Sequence, residues 1–280
     1  YNAGETAYVL ASPKSGYRFT KWMKGEEEIS SVPGLYYKMP AEDTTITAYF
    51  ELRDPILQLT FDNTLLDSSG HGHQGRLLQG TEEFMPGVVN SSAQFNGLPQ
   101  IVVDNHAELN TNEVMTLMFW YRQDNCNGGL HRSPIMKWNC STKAGQWWVG
   151  IDTDGENKRR EYITFFHKIG TYHRIGESKE YTIDPNNEKW VHLAFTFNKG
   201  NAKKYRNGVL EETSMADFTK LYANNYTNNH INIGYMPWSA TQGAYNFNGR
   251  LDEVKLFNLE LSKEAIYQIY TVEKQSVSRE

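Results

Sequence analysis

Short runs of β-branched and aromatic residues, closed off every few positions by Gly, Asn or Asp, recur along the chain and constrain its fold most strongly. They include Thr44 to Phe50, Thr116 to Tyr121, Trp147 to Ile151, Tyr162 to Phe166 and Trp190 to Phe197. Runs of this length with such punctuation predict strands, so the chain reads as an all-β protein. One helix is expected near the end, where Ser262 can cap a segment carrying Ile266, Ile269 and Tyr270 at helical spacing before the polar tail from Glu273.

Single cores stop growing at roughly 250 residues, so a chain of 280 residues is expected to hold two domains. The break falls at ELRDP, because Pro55 lacks a backbone donor and forces Asp54 toward an extended conformation. The expected domains are 1–53 and 54–280. A net charge of −5 without a basic stripe excludes the electrostatic footprint of a nucleic-acid binder. The longest apolar stretch, Val114 to Tyr121, is far short of the ~20 residues that span a bilayer. With 7 Trp, 17 Tyr and 13 Phe, the chain can bury enough surface to offset its conformational entropy, which argues against disorder. Cys126 and Cys140 lie in a polar stretch and could pair or stay free; spacing alone does not decide. The opening Tyr1 is neither an initiator Met nor part of a signal peptide, so the sequence is expected to be a fragment.

In the first fifty residues, Gly4, Glu5, Ala11, Pro13, Gly16, Tyr17, Phe19, Trp22, Met39, Pro40, Ala48 and Phe50 fill a recurring pattern. A Gly-Glu turn leads to a strand with Ala-x-Pro, then Gly-Tyr-x-Phe, a Trp, Met-Pro and a closing Thr-Ala-x-Phe. The segment resembles the bacterial extracellular repeat related to internalin B-repeats. That resemblance implies a spacer, truncated because the family's earlier strands are missing. Phe19, Trp22, Tyr49 and Phe50 are expected to supply much of its core.

The rest opens with LQLTFDNTLLDSSGHGHQGRL and closes with FNGRLDEVKLFNLELSKEAI, with TLMFWYR, WVHLAFTF and KKYRNGVLEE between. These stretches resemble the bacterial laminin G-like, concanavalin A-like jelly roll over about residues 56 to 272, with insertions around Cys126 to Gly145 and Lys168 to Asn187. Independently of any family, Asn207-Gly208 between strand residues predicts a type I′ hairpin, whose two central positions both need positive φ. Alternation through Trp190 to Phe197 places Val191, Leu193, Phe195 and Phe197 on one apolar face and His192 on the other, as a packed histidine rather than a catalyst.

In such a jelly roll the first and last strands pair. Asp62, Asn63 and Asp67 near the start and Asp252 and Glu253 at the finish would then approach one another, and several carboxylate oxygens suit a hard cation. The resemblance also implies a structural calcium here; the alternative is that Asp62 and Asp252 simply cap turns. His71-Gly72-His73 is read as a turn, since zinc needs three or four ligands and no matching pair stands nearby in sequence. Asp152, Asp154 and Glu156 are read as a solvated loop. The paired-carboxylate strand E-x-D-x-x-E of the fold's glucanase branch is missing, as are the Gly-x-Ser-x-Gly elbow and the phosphate-binding Gly loop.

Sugars bind to aromatic platforms flanked by hydrogen-bonding groups. Trp138, Trp147, Tyr172, Tyr235 and Trp238 are the candidates, beside Lys137, Asn139, Gln146, His173 and Gln242. The expectation is therefore a monomeric, non-catalytic, lectin-like carbohydrate-binding module of a bacterial cell-surface or secreted protein, with a structural calcium and a polysaccharide or glycan as partner. A glycan hydrolase or lyase of the same fold and a protein-binding adhesion module are the alternatives.

Overall fold

The computed structural model describes the chain except residues 125–128, 140–143, 155–157, 184–188, 223–228, 238–244 and 278–280. Cys126, Cys140, Glu156, Trp238 and Gln242 lie outside the described residues. The chain divides into two units, Tyr1–Asp54 and Pro55–Glu280.

The first unit has strands β1 (Thr6–Leu10), β2 (Tyr17–Lys24), β3 (Glu27–Ser30), β4 (Gly34–Lys38) and β5 (Thr47–Leu52). β1 pairs with β4, and β2 stands between β3 and β5. Its large buried side chain is Trp22, whose indole donates to the Pro33 carbonyl at 3.1 Å. Phe19 is half-buried against Trp22 and Phe50. Tyr49 and Phe50 do not join the core as expected. Both stay exposed, because two small sheets leave no second layer over them.

The second unit runs through β6 (Leu57–Leu59), β7 (Gly75–Gln79), β8 (Phe84–Pro86), β9 (Ser91–Asn96), β10 (Gln100–Val103) and β11 (Val114–Gln123). It continues with β12 (Gly129–Arg132), β13 (Ile135–Asn139), β14 (Ala144–Asp154), β15 (Lys158–Lys168), β16 (Thr171–Ile175) and β17 (Glu180–Thr182). It ends with β18 (Val191–Asn198), β19 (Asn201–Arg206), β20 (Val209–Met215), β21 (Ile231–Ile233), β22 (Asn248–Phe257) and the helix α1 (Lys263–Val277).

These strands form two facing sheets. The nine-stranded sheet has the order β16-β15-β14-β13-β21-β10-β7, with β12 on β14 and β17 on β15. The eight-stranded sheet has the order β20-β19-β18-β11-β22-β9-β8, and β6 pairs antiparallel with β22 at Leu59↔Val254 and Leu57↔Leu256. The first and last strands of the unit therefore meet, and the fold is the jelly-roll sandwich that the sequence implies. Alternate residues such as Ile101, Phe119, Trp147, Ile163, Phe195 and Leu256 fill the space between the sheets. Asn207 (φ 51°) and Gly208 (φ 75°) close the β19–β20 hairpin as their sequence requires. The Ser262 hydroxyl accepts from the Ala265 amide at 3.2 Å and caps α1. Among the described residues, no helix is long and apolar enough to cross a membrane.

Candidate functional site

The outer faces of the two sheets differ in cover. On the eight-stranded sheet, α1 stacks Tyr270 on Trp120 at 5.4 Å, and Glu273 accepts from the Trp120 indole at 2.6 Å and from Lys255 at 2.5 Å. His192 is buried there with neither ring nitrogen bonded, and burial pushes its imidazole down to about 3, aided by the Lys255 cation. It packs, as its strand position suggests, and does no acid–base work near neutrality.

No helix lies over the other sheet among the described residues. Its outer face places Asn232, Met136, Trp148, Thr164 and Arg174 in register across β21, β13, β14, β15 and β16. Beside this row, Trp138 stacks on Phe166 at 4.0 Å, with Trp148 and Tyr172 6.3 and 6.0 Å from the same ring. The Arg174 guanidinium lies 4.6 Å from the Tyr162 ring, 5.6 Å from Tyr172 and 5.8 Å from Trp148. It is held by donating to Thr164 Oγ1 at 2.9 Å and to Glu177 at 2.6 Å. Tyr162 folds flat over Gly150, where an added Cβ would stand 2.2 Å from its ring, so only glycine admits the ring at that place. The Tyr162 hydroxyl donates to Asp152 at 3.3 Å, and His131 meets the other oxygen of that carboxylate at 2.7 Å. Burial raises the Asp152 carboxyl above its ordinary range and outweighs the His131 contribution. The result is an aromatic and cationic shelf with two carboxylates, Asp152 and Glu177, at its margin.

The expected platforms divide. Tyr172 is 56% exposed at the rim of this shelf. Trp147 does not serve as a platform: it is in phase with Val149 and Ile151 and fills the core, while its neighbour Trp148 points outward. Trp138 supports the shelf from beneath rather than offering a free face, since Phe166 covers it. Tyr235 is buried, its hydroxyl donating to Asn232 at 2.8 Å. Trp238 lies outside the described residues. Among the polar neighbours, Lys137 and Gln146 turn inward: Lys137 donates to Asn105 and to the Asn229 carbonyl at 2.8 and 2.9 Å, and Gln146 to Asn112 at 2.6 Å. His173 bonds Ser214 at 2.9 Å. Asp152 and Asp154 belong to β14 instead of a loop. Trp148, Tyr162 and Arg174 are the residues that sequence reasoning missed. The alternation of QWWVGID carried the signal for Trp148, because Val149 and Ile151 fix which tryptophan faces inward.

A second site lies where β6 meets β22. Asp62 accepts from the Ser91 amide at 3.0 Å and from Asn90 at 3.2 Å, while one oxygen of Asp252 accepts from the Val88 and Val89 amides at 2.7 and 3.1 Å. The two carboxylates thus hold one turn from two sides. The other oxygen of Asp252 is buried without a partner, and burial pushes this carboxyl up to about 8, with the Glu253 and Asp62 charges acting in the same direction. Phe61, Asn63, Asn90 and Glu253, at φ of 58°, 56°, 48° and 50°, are four of the six non-glycine residues with positive φ among the described residues. Strain of this kind, of order 1–3 kcal/mol per residue, persists where the surroundings impose it.

Asn63 donates to Ser91 Oγ at 3.2 Å. The remaining two expected ligands point elsewhere. Asp67 accepts from the Gln58, Ser69 and His73 amides and the Ser69 hydroxyl, and although burial raises its carboxyl, these bonds hold it below the ordinary range. Glu253 pairs with Lys255 and accepts from Gln58 at 3.3 Å. The bulge at positive φ directs its carboxylate to these partners, while its charge still reaches Asp252.

Comparison with known proteins agrees with this architecture. Residues 95–267 match the family model of the concanavalin A-like lectin/glucanases superfamily, and residues 1–54 match that of the divergent InlB B-repeat domain. No curated protein matches the chain. Among solved structures, domain 4 of AbnA, a GH43 extracellular arabinanase from Geobacillus stearothermophilus in complex with arabinotriose, is similar with a TM-score of 0.54 and 19% identity, over 78% of this chain and 98% of that one. The binding domain of botulinum neurotoxin serotype G aligns with a TM-score of 0.60 and 18% identity, over 79% of this chain and 51% of that one. The binding domain of botulinum neurotoxin DC in complex with SialylT aligns with 0.58 and 18%, over 79% and 52%. The chain therefore spans about half of the toxin domains, and at these identities the likeness is one of fold.

Proposed function

The chain belongs to the concanavalin A-like lectin/glucanases superfamily, and from that membership we propose that its second unit is a non-catalytic carbohydrate-binding module of a bacterial cell-surface or secreted protein. The observation that carries this reading is the shelf of Trp148, Tyr172 and Arg174 on the nine-stranded sheet, partly exposed and without a helix over it among the described residues. Aromatic faces suit the apolar C–H faces of a sugar, and a guanidinium already fixed by Thr164 and Glu177 supplies donors to its hydroxyls without losing rotamer freedom on binding. Asp152 and Glu177 support a binding role over a catalytic one: glycoside hydrolysis needs two carboxylates free to flank one bond, whereas here the first is engaged by His131 and Tyr162 and the second by Arg174. The first unit acts as a spacer that carries the module.

A structural calcium belongs to the same reading. Asp62 and Asp252 fit one: a hard cation would take the unpartnered Asp252 oxygen and stabilise the charge that burial disfavours. When bound, the ion would supply positive charge to the Asp62 and Asp252 carboxylates, while Asn63 serves Ser91, Asp67 the His73 amide and Glu253 Lys255.

Binding is tested by calorimetry on the full chain with arabino-oligosaccharides and sialylated oligosaccharides, after a glycan array has selected among wider classes. Trp148→Ala and Tyr172→Ala are each expected to weaken binding by about 1–3 kcal/mol, the cost of truncating an anchor ring. Unaltered affinity in both variants would move the site elsewhere, and polysaccharide turnover lost on Asp152→Asn would make the protein an enzyme.

A further inference from the structure

The turn between β6 and β7 carries His71-Gly72-His73, and the fold brings it against a residue that is remote in sequence. Glu108 sits in a 3-10 turn, Ala107–Leu109, after β10. His71 Nδ1 lies 2.8 Å from one oxygen of Glu108, and His73 Nε2 lies 3.1 Å from the other. The three ligand atoms are all within 4.8 Å of one another, and among the described residues this is the one group of three or more such donors that converges.

Both halves of the cluster are fixed before any ligand arrives. Gly70 (φ 86°) and Gly72 (φ 80°) give the turn its path in a region that other residues rarely adopt. Asp67 then pins it through the Ser69 and His73 amides at 3.0 and 2.8 Å, and Ser69 Oγ accepts from the His71 amide at 3.2 Å. Across from it, Leu109 is anchored in the core, and the Glu108 amide donates to His106 Nδ1 at 3.3 Å. The His106 ring also packs 4.8 Å from that of His73. The turn is thus held by Asp67 and Ser69 as well as by the contacts of His71 and His73 with Glu108.

We propose that His71, His73 and Glu108 form a site for a borderline divalent cation of the zinc class, with a further position open to water or an external ligand. Imidazole nitrogens favour zinc, nickel and copper over calcium and magnesium, so this site and the Asp62–Asp252 site select different ions. Zinc bonds of about 2.0–2.2 Å to nitrogen and oxygen imply ligand atoms roughly 3.3 Å apart in a tetrahedron; each histidine already stands near that distance from one Glu108 oxygen, and with all three ligand atoms within 4.8 Å a small rotation of the exposed His71 ring and the carboxylate closes the set. His73 is buried and forms the wall, while the His71 and Glu108 side chains are 35% and 32% exposed and leave the approach open. The bound ion would clamp the β6–β7 turn to the turn after β10.

The test is calorimetric titration of the full 280-residue chain with zinc chloride, in excess calcium chloride so that the other site is saturated. One zinc per chain is expected, with binding weakened by about tenfold or more in His71→Ala and again in Glu108→Gln, since even outer-shell changes cost that much. Both side chains are partly exposed, so the variants are expected to melt like the wild-type protein without zinc; zinc is expected to raise the melting temperature of the wild type alone. No binding up to millimolar zinc, or an affinity that either substitution leaves unchanged, would overturn the assignment.

Discussion

Asp252 concentrates the chemistry of the β6–β22 junction in one side chain. Its carboxyl is pushed up to about 8, so near neutrality without calcium it is mostly protonated, and asparagine imitates that form. Asp252→Asn is therefore expected to melt within a degree or two of the chelated wild type and to show no response to calcium. The wild type is expected to gain about 2.7 kcal/mol at a hundredfold excess of calcium over Kd, or several degrees in melting temperature. Equal calcium shifts in both proteins would remove Asp252 from the site. His192 gives a pH dependence of defined sign. Its folded value of about 3 lies below the ordinary 6.5, so the unfolded chain takes up a proton that the folded chain refuses. Stability is fully present above 6.5 and falls by about 1.4 kcal/mol per pH unit as the pH drops toward 3. Around the ring stand Trp120 of β11, Tyr270 of α1 and the Lys255 cation of β22, which Glu253 and Glu273 in turn pair. In melts from pH 7.5 to 5, the stability of wild type relative to His192→Leu should decline with acidity; a constant difference would show that burial does not govern this imidazole. The sequence placed His192 on the outward side of its strand and left its cover unknown, because a helix remote in sequence supplies that cover. Trp147 was assigned the wrong role for another reason: in a tryptophan pair, only the phase of the flanking Val149 and Ile151 tells shelf from core.

At the scale of strands, the sandwich is joined by charge as well as by apolar packing. Glu161 of β15 is fully buried between the sheets, where it accepts from the Tyr121 hydroxyl of β11 and from Arg206 of β19 at 3.0 Å. Arg159 lies at 3.4 Å and Lys204 at 3.6 Å from its oxygens. Removing the anion leaves several cations facing one another in a poorly solvated space. Glu161→Gln is expected to cost about 3–5 kcal/mol, read as a lower urea midpoint for the second unit. The control is Glu180→Gln, which removes an exposed partner of Arg160 and is expected to cost at most about 1 kcal/mol. Similar losses in the two variants would mean that the buried cluster does not join the sheets. This cluster was not legible beforehand. KRREY reads as a solvated charge run, and only the facing sheet, with Tyr121 of β11 and Arg206 of β19, supplies the partners that its inward residues meet. Elements whose signals are local were legible: the Asn207-Gly208 hairpin, the Ser262 cap, and the apolar face of β18. The tract from Lys168 to Asn187 read as an insertion, yet it supplies β16 and with it Tyr172 and Arg174, two of the three residues of the proposed binding shelf.

At the scale of the molecule, the two units differ in how much surface each can remove from water. The second unit closes two large sheets over one continuous core. The first unit has sheets of two and three strands, with Ala7, Ala11 and Trp22 as its buried apolar side chains and Tyr8, Leu10, Tyr36, Tyr49 and Phe50 exposed. One indole and two methyl groups bury little against a conformational entropy of roughly 1.5 kcal/mol per ordered residue, and domains of this size need exceptional packing, a disulfide or a metal to stand alone. The position of Trp22 inside β2, with its indole bonded to the Pro33 carbonyl, makes it the buried contact joining that sheet to the β3–β4 connection. Residues 1–54 expressed alone are therefore expected to be unfolded or to melt broadly near room temperature by circular dichroism. Residues 55–280 alone should unfold cooperatively within a few degrees of the full chain. In the full chain, Trp22→Ala should abolish protease resistance in the first unit and leave glycan binding by the second unchanged. A sharp melt of the isolated first unit well above room temperature would show that its five strands contain a sufficient core, and the spacer would then be an autonomous domain.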